Sequence, residues 1–148
     1  MTRAPSKNPA VLLERFAEVV REFELVASHS LEEYRSSIYV RRSAERLVQL
    51  ACDIAVEMNC RLLSGSRGRM PEGYEESFNA LAEEGLLPGP LAEKMLAVVG
   101  LRRSLLYDDS PDMDEQIHRR LPFFAVLLRE YGRHMEEVRE TAPAGGRR

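Results

Sequence analysis

The sequence has no tryptophan and two cysteines, and aromatic residues make up 7% of its 148 positions. So few cysteines exclude a disulfide-stapled secreted scaffold. Histidine is also scarce, at three residues, and it is the side chain that titrates near neutrality without perturbation. No apolar run approaches the roughly 20 residues of a transmembrane helix, and the opening MTRAPSKNP has no signal-peptide core. The expected location is therefore the cytoplasm, with no membrane partner. There is no Cys-x2-Cys pair, His-Glu-x2-His motif, calcium loop or phosphate-cradling Gly-rich loop, so neither a metal site nor a cofactor is expected. Nor is there an excess of positive charge: 21 basic residues stand against 24 acidic ones, for a net charge of −3. That balance excludes the broad basic field of a general DNA or RNA binder, so no DNA partner is expected and any anion site must be local.

What remains is an ordinary globular composition, 44% hydrophobic and 30% charged, of a length that suits one domain. Folding a chain of this size removes roughly two thirds of its unfolded surface from water, enough for a core without disulfides or metal. Residues 1–7 and 141–148 read as disordered ends around a single domain over 8–140. Asn8 before Pro9 marks a helix start, followed by Leu12, Phe16, Val19, Val20 and Phe23 at helical spacing. Ser30 with Glu33 forms a capping box that opens one long amphipathic stretch to about Ser64, with Ile38, Ala44, Leu47, Val48, Ala51, Ile54, Ala55, Met58 and Leu62 inward.

Gly65, Gly68 and Pro71 break that helix and leave a basic loop containing Arg67 and Arg69, which reads as solvated, with an extension of an RNA track as the alternative. A third helix carries Tyr74, Phe78, Leu81 and Ala82 inward. Gly85 is a C-cap candidate, and Pro90 opens a fourth helix that ends by Asp108. Asp112 with Glu115 reads as the N-cap box of a last helix, with Pro122 as its kink and Ile117, Leu121, Phe124, Leu128, Tyr131 and Met135 inward. No segment alternates with period two, so the expected fold is an all-α antiparallel bundle of about five helices.

Few residues offer chemistry. Cys52 and Cys60 lie eight positions apart on one helix, about 12 Å of rise, too far for a disulfide; both read as buried or partly buried apolar residues. His29 sits in a helix connection, His118 in the first turns of the last helix and His134 near its end, and each is expected to be non-catalytic. The acidic run DDSPDMDE, Asp108 to Glu115, reads as capping and solubilising charge. Asp53 and Glu57, spaced i, i+4, form either a solvated stripe or an inward polar pair that could position Arg102 through a charge-assisted hydrogen bond. The last segment of interest is GLRRSLLYDD, Gly100 to Asp109, where Arg102 and Arg103 end an apolar helix beside a tyrosine and two acids. By itself the arginine pair reads as solvated or as helix-terminating charge that favours the dipole and contacts Asp108 or Asp109.

Three segments together carry a family resemblance: YVRRSAERLVQLACDIAVEMN, PEGYEESFNALAEEGLLPGPLAEKM and GLRRSLLYDD. From about Val11 to Met135 the chain resembles the HepT-like proteins of the HEPN superfamily of helical nucleases and nucleotide-binding domains. The resemblance implies a homodimeric helical bundle, the toxin half of a toxin–antitoxin pair, that cleaves RNA without metal and is encoded beside a nucleotidyltransferase antitoxin. The family motif is Arg-x4-His-x-Tyr; laid on this chain, Arg102 matches the arginine, Tyr107 stands at the histidine position and Asp109 at the tyrosine position.

Those replacements bear on mechanism. Metal-free RNA cleavage needs a group that takes the ribose 2′-OH proton, one that protonates the leaving oxygen, and a cation for the phosphate oxygens. Arg102, with Arg103 beside it, fits the last role. Tyr107 offers a phenol, a group whose reference pKa near 10 lets it donate a hydrogen bond but makes it a poor general base. The resemblance also implies that the antitoxin adenylylates the motif tyrosine; Asp109 has no hydroxyl to accept the group, whereas Tyr107 has one two positions earlier. The expectation is a HepT-like protein with reduced or lost ribonuclease activity. The alternative is a non-catalytic helical module that binds a nucleotide or partner.

Overall fold

The computed structural model describes residues 8–64, 70–107 and 111–141. These form six helices: α1 (Pro9–Ala27), α2 (Leu31–Ser36), α3 (Ile38–Ser64), α4 (Tyr74–Glu83), α5 (Gly89–Tyr107) and α6 (Pro111–Thr141). No strand occurs among the described residues. The expected tails 1–7 and 142–148 lie outside them, while Thr141, expected in the tail, closes α6 with its hydroxyl on the Glu137 and Val138 carbonyls.

Local signals set most of the boundaries. The Asn8 side chain accepts from the Ala10 N–H at 2.8 Å, satisfying one of the free donors of α1, and Pro9 fills the first turn. Both halves of the Ser30–Glu33 capping box form, at 3.1 Å and 2.8 Å. After α4, Gly85 takes φ 75° and the Leu86 N–H reaches back to the Leu81 carbonyl at 2.9 Å, the glycine-terminated helix end that its position suggested.

Three boundaries differ from expectation. The stretch from Ser30 to Ser64 is two helices, broken at Ser37 (φ −114°, ψ 114°). The break is well satisfied on both sides: Ser37 Oγ accepts from the Val40 N–H at 3.3 Å, and Arg41 Nη1 donates to the carbonyls of Tyr34 and Arg35. Ile38 therefore opens a helix and is half exposed rather than inward, and Ile54 and Leu62 are partly buried. α5 begins one residue before Pro90. α6 begins at Pro111, so Asp112 lies inside its first turn instead of capping it, and the helix runs on through Pro122.

The core forms where α3 packs against α1, α2, α4 and α5, and α6 covers α1, α2 and α5. Tyr131 of α6 sits fully buried between Phe16 of α1 and Phe78 of α4, with ring centroids 5.4 Å and 5.7 Å away and both rings edge-on. Each such fully buried aromatic side chain contributes about 1.5–3 kcal/mol. Gly132 lets the helices approach closely beside it: a Cβ there would stand 3.2 Å from the Phe16 ring, close enough that the ring would have to shift by a few tenths of an ångström. The Tyr131 hydroxyl lies 2.5 Å from Asn59 Oδ1 and 3.1 Å from the Ala55 carbonyl. Asn59 Nδ2 donates to Ser77 Oγ at 3.0 Å, and Ser77 Oγ donates to the Tyr74 carbonyl at 2.8 Å. A buried polar chain thus runs from α6 through α3 into the first turn of α4.

Removing one end of this chain leaves Asn59 Oδ1 without its phenolic donor, so Tyr131→Phe is expected to cost about 1–3 kcal/mol in urea denaturation. Burial raises the Tyr131 phenol well above 10.0 and pushes Tyr34 up to about 12. As pH rises, the unfolded chain therefore loses these protons first. Stability is full below about pH 10 and falls between about 10 and 12, and Tyr131→Phe makes that fall shallower. An unchanged slope would contradict the assignment.

Candidate functional site

Arg102 lies on α5 where that helix faces α4, and it is partly buried. Its guanidinium carbon stands 4.5 Å from the centroid of the Tyr74 ring, over the ring face. The Tyr74 hydroxyl donates to Asp53 Oδ1 of α3 at 2.5 Å. Three helices thus meet at one constellation, and the buried Asn59–Ser77 link fixes the backbone of its middle member. The Nε of Arg102 is buried and has no hydrogen-bond partner among the described residues. Burial, and then the bond to the Asp53 carboxylate, raise the Tyr74 pKa, while the positive charge of Arg102 opposes the rise. Tyr74 is therefore a neutral phenol that donates at physiological pH.

Cys52 lies beneath the same constellation. Burial pushes its thiol up to about 12, with Arg102 pulling the other way. It stays a protonated, inert side chain, as its expected core role requires. Cys60 is partly buried, and neither cysteine forms a disulfide.

The other expected site residues are dispersed. Arg103 is exposed and its Nη2 lies 3.4 Å from Glu75 Oε2 across the α4–α5 interface, a screened pair of small energetic value. Because α5 continues to Tyr107, its last turn contains no basic residue, so the dipole reading of the arginine pair does not apply. Tyr107 ends the helix and is 80% exposed. Five positions along a helix correspond to about 7.5 Å of rise and roughly 140° of rotation. Accordingly Arg102 turns toward α4 and Tyr107 into solvent. Asp109, Arg67 and Arg69 lie outside the described residues.

Of the i, i+4 acids, Asp53 does face the constellation but bonds Tyr74 instead of Arg102. Glu57 approaches Arg61 Nε at 3.4 Å. The histidines have other partners. His118 Nε2 is 2.6 Å from the His29 carbonyl, and its ring lies 5.7 Å from Tyr34. His134 Nε2 is 2.8 Å from the Leu86 carbonyl, and His29 Nδ1 is 3.4 Å from Glu33. No group of three or more His, Cys, Asp or Glu residues suited to a metal ion occurs among the described residues, and none of the described helices is long and apolar enough to cross a membrane.

Tyr74 is the member of the site that the sequence pattern did not single out. Helical spacing marks it as inward, but only the tertiary structure places its ring against Arg102.

The profile of the family described as ribonuclease HepT-like matches residues 13–108, which is most of the chain. The chain belongs to the HepT-like family. A tRNA nuclease HepT from Aphanizomenon flos-aquae is 25% identical over 127 residues, covering 86% of this chain and 82% of that protein. Among solved structures, the tri-AMPylated HEPN toxin of Shewanella oneidensis in complex with its MNT antitoxin superposes with a TM-score of 0.76 at 13% identity. The match covers 87% of this chain and 96% of that one. A toxin–antitoxin crystal structure with AMP-PNP gives the same TM-score and identity, over 86% and 96% of the two chains. The all-helical architecture of this HepT-like chain is thus that of HEPN toxins, and the profile ends just past Tyr107, at the close of α5.

The exposure pattern has a direct check. Nitration by tetranitromethane is expected to modify Tyr39 and Tyr107, which are 82% and 80% exposed, and to spare the buried Tyr34 and Tyr131. Protection of Tyr107 would contradict its solvent-facing position.

Proposed function

We propose that this HepT-like protein is a toxin-derived, cytoplasmic RNA-binding homodimer that works with a nucleotidyltransferase-type antitoxin and has lost most or all of its ribonuclease activity. Arg102, with Arg103 in a lesser role, is the phosphate contact. A guanidinium held against a ring face, beside a carboxylate that bonds Tyr74 instead of the arginine, suits a phosphate oxygen. The observation that carries the loss of cleavage is Tyr107, an exposed phenol at the position where the family has histidine. A phenol at neutral pH holds its proton and cannot remove one from a ribose hydroxyl. His118 and His134 do not replace it, since each is within hydrogen-bond distance of a backbone carbonyl elsewhere in the bundle.

The relatives named above support the class of partner and substrate: one is a tRNA nuclease, and another is a toxin seen with its antitoxin. The Tyr107 hydroxyl, at an exposed helix end, is the acceptor available on this segment should the antitoxin transfer a nucleotidyl group. Asp109 has no hydroxyl to serve.

The test is cleavage of a tRNA pool in chelator by the native protein, Tyr107→His and Arg102→Ala. Little or no cleavage by the native protein, a gain of at least about a hundredfold in Tyr107→His, and no gain when Arg102→Ala is added are expected. Rapid cleavage by the native protein that is abolished in Arg102→Ala would contradict the loss of activity.

A further inference from the structure

An arginine that must receive a phosphate has two requirements that conflict. Its planar fork has to be held in one orientation, and the N–H groups of that fork have to stay free for the phosphate oxygens. The obvious way to hold an arginine is a carboxylate, but a carboxylate accepts the very hydrogen bonds that the ligand needs and cancels the charge. Asp53 is the carboxylate at this site. It does not bond Arg102: it accepts the Tyr74 hydroxyl at 2.5 Å, and the Tyr74 ring face lies 4.5 Å from the guanidinium carbon.

The geometry points to Tyr74 as a positioning residue for Arg102, one that restrains the guanidinium through its ring face while its hydroxyl engages Asp53, so that the arginine's donors stay open to a phosphate. The inference rests on the reading of Arg102 as a phosphate contact. Two further observations fit it. Arg102 Nε is buried without an acceptor among the described residues, so the stem of the fork is enclosed by the protein and no carboxylate among them claims it. The backbone of Tyr74 is tied down independently, by Ser77 Oγ donating to its carbonyl and by Asn59 donating to Ser77, so the ring is offered from a fixed point and not from a loose helix end. A carboxylate on the phenol also makes the ring more electron-rich, which strengthens its attraction for a cation on its face.

The role makes a specific demand on Asp53. If Tyr74 loses its hydroxyl, Asp53 is released toward Arg102 and competes with the phosphate. Removing the hydroxyl should therefore be harmful only while Asp53 keeps its charge. The experiment is a double-mutant cycle, read as the dissociation constant of a short fluorescein-labelled oligoribonucleotide for the full-length chain at fixed low salt. Tyr74→Phe, which preserves the ring and the packing, is expected to weaken binding about fivefold. In the Asp53→Asn background the same change is expected to have less than about a twofold effect. Arg102→Ala is expected to weaken binding at least about tenfold, and Tyr74→Phe is expected to be silent once Arg102 is gone.

Equal weakening by Tyr74→Phe in both Asp53 backgrounds, or no weakening at all, overturns the positioning role while leaving the phosphate reading intact. Equal binding by the native and Arg102→Ala proteins, including no binding by either, overturns the phosphate reading and this inference with it. A second measurement needs no RNA: the side-chain Nε–H resonance of Arg102 should be ordered and slow to exchange in the native protein. It should remain so in Tyr74→Phe and become averaged in Tyr74→Leu. Slow exchange persisting in Tyr74→Leu would show that the ring does not restrain the arginine and would overturn the role.

Discussion

The buried hydrogen bonds that run from Tyr131 to Asn59 and on to Ser77, whose hydroxyl in turn bonds the Tyr74 carbonyl within α4, determine where α4 sits on α3, and the site depends on that placement. Apolar burial alone specifies which faces meet, but it tolerates sliding of one helix along another. A polar chain in a dry interior does not, because any shift leaves a buried donor or acceptor unmet at a cost of about 1–3 kcal/mol. Tyr131 adds an aromatic anchor at the same point, edge-on to both Phe16 and Phe78. The register of α4 fixes Tyr74, and Tyr74 meets Arg102, the residue proposed above as the phosphate contact.

Much of the fold could be read in the sequence because its signals are local. The Asn8 cap, the Ser30–Glu33 box and the Gly85 terminus each act over a few residues, and each forms as its residues suggest. The break at Ser37 was not legible, since YRSSIYV carries no glycine or proline. It is satisfied by Arg41 reaching back to carbonyls six and seven residues earlier, a contact that periodicity does not encode. The start of α6 at Pro111 instead of beyond Asp112 has a simple cause: proline is favoured in a first helical turn, where its missing N–H costs nothing.

The site divides in the same way. Arg102 and Tyr107 lie in one linear segment, the one whose resemblance to the family motif the sequence suggests, and the family match spans both positions. The surroundings that make Arg102 useful come from α3 and α4, with Asp53 and Tyr74 21 positions apart, and only packing brings them together. Periodicity marks Tyr74 as an inward residue without indicating that its neighbour is a cation. The acids Asp53 and Glu57 look equivalent in sequence, yet one turns toward Tyr74 and the other toward Arg61.

The structure holds Arg102 against the Tyr74 ring and leaves Tyr107 an exposed phenol; under the proposed function the first is the charge-binding half of a nuclease site and the second stands where the proton-transfer group is missing. Electrostatic binding of a phosphate needs only a fixed cation, whereas cleavage also needs a base whose pKa lies near the working pH. The most direct measurement is a crystal structure of the protein with a short RNA analogue that lacks the attacking 2′-hydroxyl. A phosphate oxygen is expected about 3 Å from the Arg102 guanidinium nitrogens, with Tyr74 still beneath the arginine. A phosphate lodged elsewhere, for example against Arg21, Arg129 and Arg133 in the groove between α1 and α6, with Arg102 untouched, would contradict it.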